Sequence, residues 1–113
     1  MKISNRDIGN VTVLEIKGRI TIGSGDVALR EAIDDALSKG KKHLLVDLGG
    51  VSKMDSSGLG ELVAAHNTVT EEHGTIKLAN IPSKIYNIMG VAQIVSVFDV
   101  FENIDEAIGS YGQ

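Results

Sequence analysis

The stretch His43-Leu44-Leu45-Val46-Asp47-Leu48 is a short, nearly continuous apolar run. Such a run reads as a central strand covered on both faces. A loop, Gly49-Gly50-Val51-Ser52-Lys53-Met54, leads from it to Asp55-Ser56-Ser57-Gly58, where a helix begins. Leu59, Leu62, Val63, His66 and Val69 then recur at helical spacing, and Gly74 closes the helix. A strand followed directly by an amphipathic helix is the unit of an α/β sheet.

Reading outward from this unit extends the alternation. Before it, residues 2–8 form a strand candidate, Gly9-Asn10 a turn, and residues 11–17 a β-branched, partly alternating strand. Gly18-Arg19-Ile20-Thr21-Ile22-Gly23-Ser24-Gly25 follows as a glycine-punctuated loop. Residues 26–39 carry Ala28, Leu29, Ala32, Ile33, Ala36 and Leu37 on one helical stripe that ends at Gly40. After the central unit come a strand over 75–79, a helix over 82–89 with Pro82 in its first turn, and a strand over 97–100. Asn103, with Glu106 three residues on, resembles a capping box opening a last short helix. The order is ββαβαβαβα. It predicts an α/β fold with a mixed, mostly parallel sheet, an antiparallel edge strand and four helices. The loops over 18–25 and 49–58 follow neighbouring strands at their carboxyl ends, so they are expected to meet.

At roughly 150 residues per domain, 113 residues make a single domain, 1–113. The 11 Lys and Arg against 15 Asp and Glu leave a net charge of −4. That balance argues against nucleic acid as a partner and against a basic membrane-binding face. Zero Cys removes disulfides, thiolate metal sites and thiol nucleophiles, and suits a reducing cytosol. The polar start Met1-Lys2-Ile3-Ser4-Asn5-Arg6-Asp7 lacks the apolar core of a signal peptide, and no stretch is apolar enough to span a membrane. The expected location is the cytoplasm, with no membrane insertion.

Three groups of residues could carry chemistry. Gly23-Ser24-Gly25-Asp26-Val27-Ala28 matches a dinucleotide fingerprint between a strand and a helix, with Asp47 about 20 residues on. One short βαβ unit cannot build the two-halved dinucleotide fold, however, and the glycines fall beyond the strand end. A flexible loop near the helix start is the plainer reading. Among the histidines, His66 and His73 would be about 10.5 Å apart along one helix, too far to share a metal. His43 belongs at the opposite end of its strand, and His66 reads as a hydrogen-bonded residue at the core margin. No cofactor and no metal are expected. The third group is Asp55-Ser56-Ser57-Gly58 at a helix start, where free N–H groups and the helix dipole favour an anion. A serine there can cap the helix, act as a nucleophile or accept a phosphate. The nucleophile role lacks both a G-x-S-x-G elbow and a nearby histidine.

The chain resembles the STAS domains, specifically the bacterial anti-sigma factor antagonists, over nearly its whole length. Val51-Ser52-Lys53-Met54-Asp55-Ser56-Ser57-Gly58-Leu59-Gly60 is similar to that family's signature loop, and Gly18-Arg19-Ile20 to the end of its opening strand pair. Met89-Gly90-Val91, Val97-Phe98-Asp99-Val100-Phe101 and Asn103 to Ile108 match the family's third helix, last strand and final helix. The resemblance implies a non-enzymatic partner switch. It implies that the unphosphorylated protein binds an anti-sigma factor that is itself a serine kinase, that phosphorylation ends the interaction, and that a metal-dependent serine phosphatase restores it. It puts the phosphate on Ser56, with Ser57 as the neighbour, and a partner-binding loop at Thr21, Ser24, Met54, Asp55, Ser56, Ser57 and Gly58. Ile20-Thr21-Ile22-Gly23-Ser24-Gly25-Asp26 departs from the family pattern in its glycines, which bears on the choice of partner. Two other readings compete. One is an unphosphorylated STAS scaffold or lipid-transport subunit. The other is a nucleotide-binding or enzymatic domain using residues 23–28.

Overall fold

Two long strands lie side by side at the centre of the computed structural model, which describes residues 1–111. The last two residues of the expected 1–113 domain lie outside the described residues. The central strands are β2 (Val11–Ile20) and β3 (His43–Met54). Around them come β1 (Lys2–Ile8), α1 (Gly25–Ser38), α2 (Ser56–Glu71), β4 (Thr75–Ala79), α3 (Ser83–Val91), β5 (Asp99–Phe101) and α4 (Ile104–Ser110). The sheet order is β1-β2-β3-β4-β5. β1 runs antiparallel to β2 at one edge and every other pairing is parallel. The expected mixed sheet with four helices is the observed one.

Strand alternation separates two cores. Leu14, Ile16, Leu44, Val46, Ile76 and Leu78 face α1, α2 and α3. Val11, Val13, Leu45 and Ala79 face the opposite way, against Ala107 of α4. β3 is thus buried on both faces, as its apolar run requires.

Several boundaries differ from the sequence expectation. Gly49–Met54 is strand, not loop, because β3 continues beside β2 up to the pair Ile20↔Met54. The register shifts twice on the way, and both times β3 carries the extra residue. Gly50 sits where the strands crowd; a Cβ there would lie 2.8 Å from the Ile16 carbonyl oxygen. Gly18–Ile20 likewise belongs to β2. The last strand starts at Asp99, since Val95–Val97 forms a turn of 3-10 helix and Phe98 is buried. Pro82 caps α3 from outside, with extended backbone, instead of lying in its first turn. α2 ends on His73 in the left-handed region, with Gly74 one place later donating to the Val69 carbonyl.

Candidate functional site

Because β2 and β3 are parallel neighbours, the segments leaving their carboxyl ends come together, and Asp55 joins them. Asp55 is the N-cap of α2, and its Oδ1 accepts the Gly58 N–H at 3.0 Å. Its Oδ2 accepts the Ile22 N–H at 3.0 Å, reaching across from the other segment. The Ile22 bond first, and the Gly58 bond next, hold the carboxyl below its ordinary value of 3.8, so it is ionised at neutral pH. Packing fixes the same junction. Gly58 passes so close to β2 that a Cβ on it would lie 2.1 Å from the Ile20 carbonyl oxygen.

The 21–24 segment is also fixed from its own side. Buried Asp26 accepts the N–H groups of Gly23 and Val27 through Oδ1, at 3.0 and 2.8 Å. Its own N–H donates to the Thr21 carbonyl at 3.2 Å. The plainer reading places Ser24 or Gly25 near the helix start, and Ser24 is the N-cap of α1, with the Asp26 carboxylate holding the turn before it.

The residues expected to act divide by exposure. Ser56 is exposed in the first turn of α2, beside the ionised Asp55, and Ser57 is half-buried. Ser24 is exposed at the N-cap of α1, where its hydroxyl makes no capping bond. Thr21 is half-buried. Met54 and Gly58 are buried, so they support the loop from beneath and do not form its outer face.

The dinucleotide reading of residues 23–28 finds no support in this geometry. The Gly23 N–H is engaged by Asp26, and Gly25 packs on β2, where a Cβ would lie 2.2 Å from the Arg19 carbonyl oxygen. Asp47 is buried and accepts from the Gly49 N–H and from Asn80 Nδ2, at 2.9 and 3.2 Å, so it is not held out for a ribose. The histidines are dispersed. His43 bonds Thr75 Oγ1 at the amino end of β3, and His73 lies beyond the end of α2. His66 corrects its expectation. Its Nδ1 is buried without a hydrogen-bond partner, because α2 turns the ring edge-on to Phe98, with centroids 5.4 Å apart.

The sequence reading passed over two apolar features that flank Ser56. Ile22, whose N–H binds Asp55, is 73% exposed. On the other flank, Leu59, Asn87, Ile88, Val91 and Ala92 line a groove of about 350 Å³ between α2 and α3. Val91 on its rim is 87% exposed. An apolar residue inside the polar 21–26 segment was the available signal for Ile22. The exposure of Val91 depends on where α3 stops, which periodicity does not define.

Comparison with known proteins agrees with this architecture. The STAS domain family model matches residues 2–107, so the chain belongs to the STAS domain family. It is 30% identical to the anti-sigma-B factor antagonist of Bacillus subtilis (strain 168), over 77% of this chain and 78% of that protein. Its fold superposes on the crystal structure of an anti-sigma factor antagonist from Mycobacterium paratuberculosis with a TM-score of 0.87. That match has 20% identity and covers 99% of this chain and 94% of the other. The structure of the Bacillus cell fate determinant SpoIIAA in its phosphorylated form gives a TM-score of 0.74 at 17% identity, covering 97% of this chain and 99% of that one. Among the described residues, no helix is long and apolar enough to cross a membrane.

Proposed function

We propose that the protein is an anti-sigma factor antagonist controlled by phosphorylation of Ser56. Unmodified, it binds an anti-sigma factor that is also a serine kinase. Once phosphorylated by that kinase it lets go, and a metal-dependent serine phosphatase resets it. On this reading it is a binding module of the cytoplasm with no catalytic step of its own. The observation that carries the reading is the exposed hydroxyl of Ser56 on a rigid corner, with half-buried Ser57 less open to a kinase.

The physics of such a switch is local. A phosphate brings about −1.5 to −2 charge at pH 7, beside an Asp55 already ionised by two backbone donors. Apolar groups flank it on both sides, so a partner covering them must dehydrate the phosphate as well. A loss of about 3 kcal/mol lowers affinity by about two decades. No refolding is needed.

The test is to incubate the protein with ATP and source-organism lysate under phosphatase inhibition, then map the modified peptide by mass. One phosphate on Ser56, abolished by Ser56→Ala, is the expected result. Phosphate on Ser57 would move the acceptor by one residue. No phosphate on either, with the kinase shown active on a control antagonist, would favour the unphosphorylated scaffold reading.

A further inference from the structure

The sheet face away from α1, α2 and α3 is covered by α4 through Ala107 and Ile104. Beyond α4, the same face carries the outward side chains of β1, β2 and β3. Ile3, Ile16, Ile20 and Met54 pack into the core under α1–α3. Strand alternation therefore puts their neighbours Lys2, Lys17, Arg19 and Lys53 on the opposite face. The Lys17 stem lies over Gly50 there, with its Cγ 2.8 Å from where a Cβ would stand. All four cations are exposed. The register sets like charges opposite one another twice, as Lys2↔Lys17 and Arg19↔Lys53. Such pairs oppose folding, and a locally unfavourable arrangement of this kind is typical of a functional surface. Of the four, among the described residues, Lys17 alone meets a carboxylate, Glu15 at 3.7 Å. Four of the 11 Lys and Arg thus gather on one face of a chain whose net charge is −4.

We propose that this basic diagonal binds a short segment of a partner protein rich in Asp and Glu. Its size suits a narrow ligand. With strands about 4.8 Å apart and a rise of about 3.3 Å per residue, the path from Lys2 to Lys53 is about 12 Å. That is the reach of about four extended residues. Its surroundings oppose a broad ligand. The first turn of α4 puts exposed Asp105 and Glu106 on the same side of the sheet, with Glu102 just before them. A membrane surface or a long nucleic acid would bring its negative charge against those acids, and a short segment need not. β1, β2 and β3 also hold no Phe, Tyr or Trp on which a base could stack. The Arg19 guanidinium can take a carboxylate through two N–H groups, and the lysines add point charges around it. The surface lies across the sheet from α2, so the proposal does not depend on Ser56.

The test is an amide-shift titration of the isotope-labelled full chain with an eight-residue peptide of alternating Glu and Ser, and with its Gln-Ser counterpart. Saturable binding of the acidic peptide is expected below about 1 mM at low salt. The shifts should centre on Lys17, Arg19 and Lys53, and raising the salt from about 20 mM to about 200 mM should weaken binding about threefold or more. Arg19→Gln combined with Lys53→Gln should weaken it about fivefold or more, and so should Lys2→Gln combined with Lys17→Gln. The two pairs are independent, so one folded variant suffices. No saturation below about 5 mM, equal binding of the neutral peptide, or unchanged affinity in the folded variants would overturn the proposal. Tighter binding to oligothymidylate or to phosphatidylserine vesicles than to the peptide would overturn it as well.

Discussion

Two glycines in the first turns of α2 should respond to alanine with opposite signs. At Gly58, a Cβ would lie 2.1 Å from the Ile20 carbonyl oxygen, 2.9 Å from Met54 Cγ and 3.0 Å from Ile20 Cγ2. Restoring an ordinary carbon–oxygen separation of about 3.3 Å needs a displacement of about 1 Å. The nearest obstacle is backbone, so helix and strand must part, and overpacking of this kind costs about 3 kcal/mol. The helix preference for alanine returns about 1 kcal/mol, leaving a net loss of about 2 kcal/mol. At Gly60, exposed and with nothing within 4 Å, the gain of about 1 kcal/mol stands alone. With a urea slope of about 1.5 kcal/mol/M, the two unfolding midpoints should separate by about 2 M, one on each side of the parent. The displacement has a second readout. A shift of about 1 Å stretches the 3.0 Å bond from Ile22 to Asp55 beyond hydrogen-bonding range, so the Ile22 amide should exchange faster with solvent in Gly58→Ala and at the parental rate in Gly60→Ala. A Gly58→Ala protein with the parental midpoint and parental Ile22 protection would refute this account of how the corner is held.

Other expectations follow from the same contacts. Ser56→Ala should keep its affinity for an anti-sigma partner while Ser56→Asp loses about tenfold or more, as calorimetry would report; equal binding by both would contradict the electrostatic switch. Asp55 has its carboxyl held below 3.8, so its contribution is present above that value and disappears as pH falls through the lower folded one. Asp55→Asn should therefore lose less stability than the parent on acidification below about pH 4, and its Ile22 amide should exchange faster at neutral pH. Burial pushes the Tyr111 phenol up to about 12, and its hydroxyl donates to the Leu44 carbonyl. A raised pKa gives stability that is complete below 10 and is lost as pH rises through about 12. Phenolate absorbance should show one tyrosine held back, and Tyr111→Phe should remove that delayed phase.

The order of elements was legible because each central segment carries its own period. Leu29, Ile33 and Ala36 mark a helix and Leu44 to Leu48 a doubly covered strand, and all but Asp47 of these are apolar and buried. The Asp55 cap was legible as a residue type at a helix start. Its second bond was not, because Ile22 lies 33 residues away and meets it only through the β2–β3 register. Gly49-Gly50 shows the limit most plainly. A glycine pair signals a turn when read along one strand, yet the space Gly50 must leave is set by Ile16 and Lys17 of the neighbouring one, and that at Gly49 by Asp47 and Asn80. In the same way the fingerprint at Gly23–Ala28 has a phosphate-binding spacing, but its glycines answer to Asp26 and to the Arg19 carbonyl. Glycine records that something approaches closely and does not record what. In this protein the approaching group is repeatedly β2 itself, so glycines that could have lined a ligand site instead press two segments into one corner. That close contact is what presents Ser56 and Ile22 together on one corner of the surface.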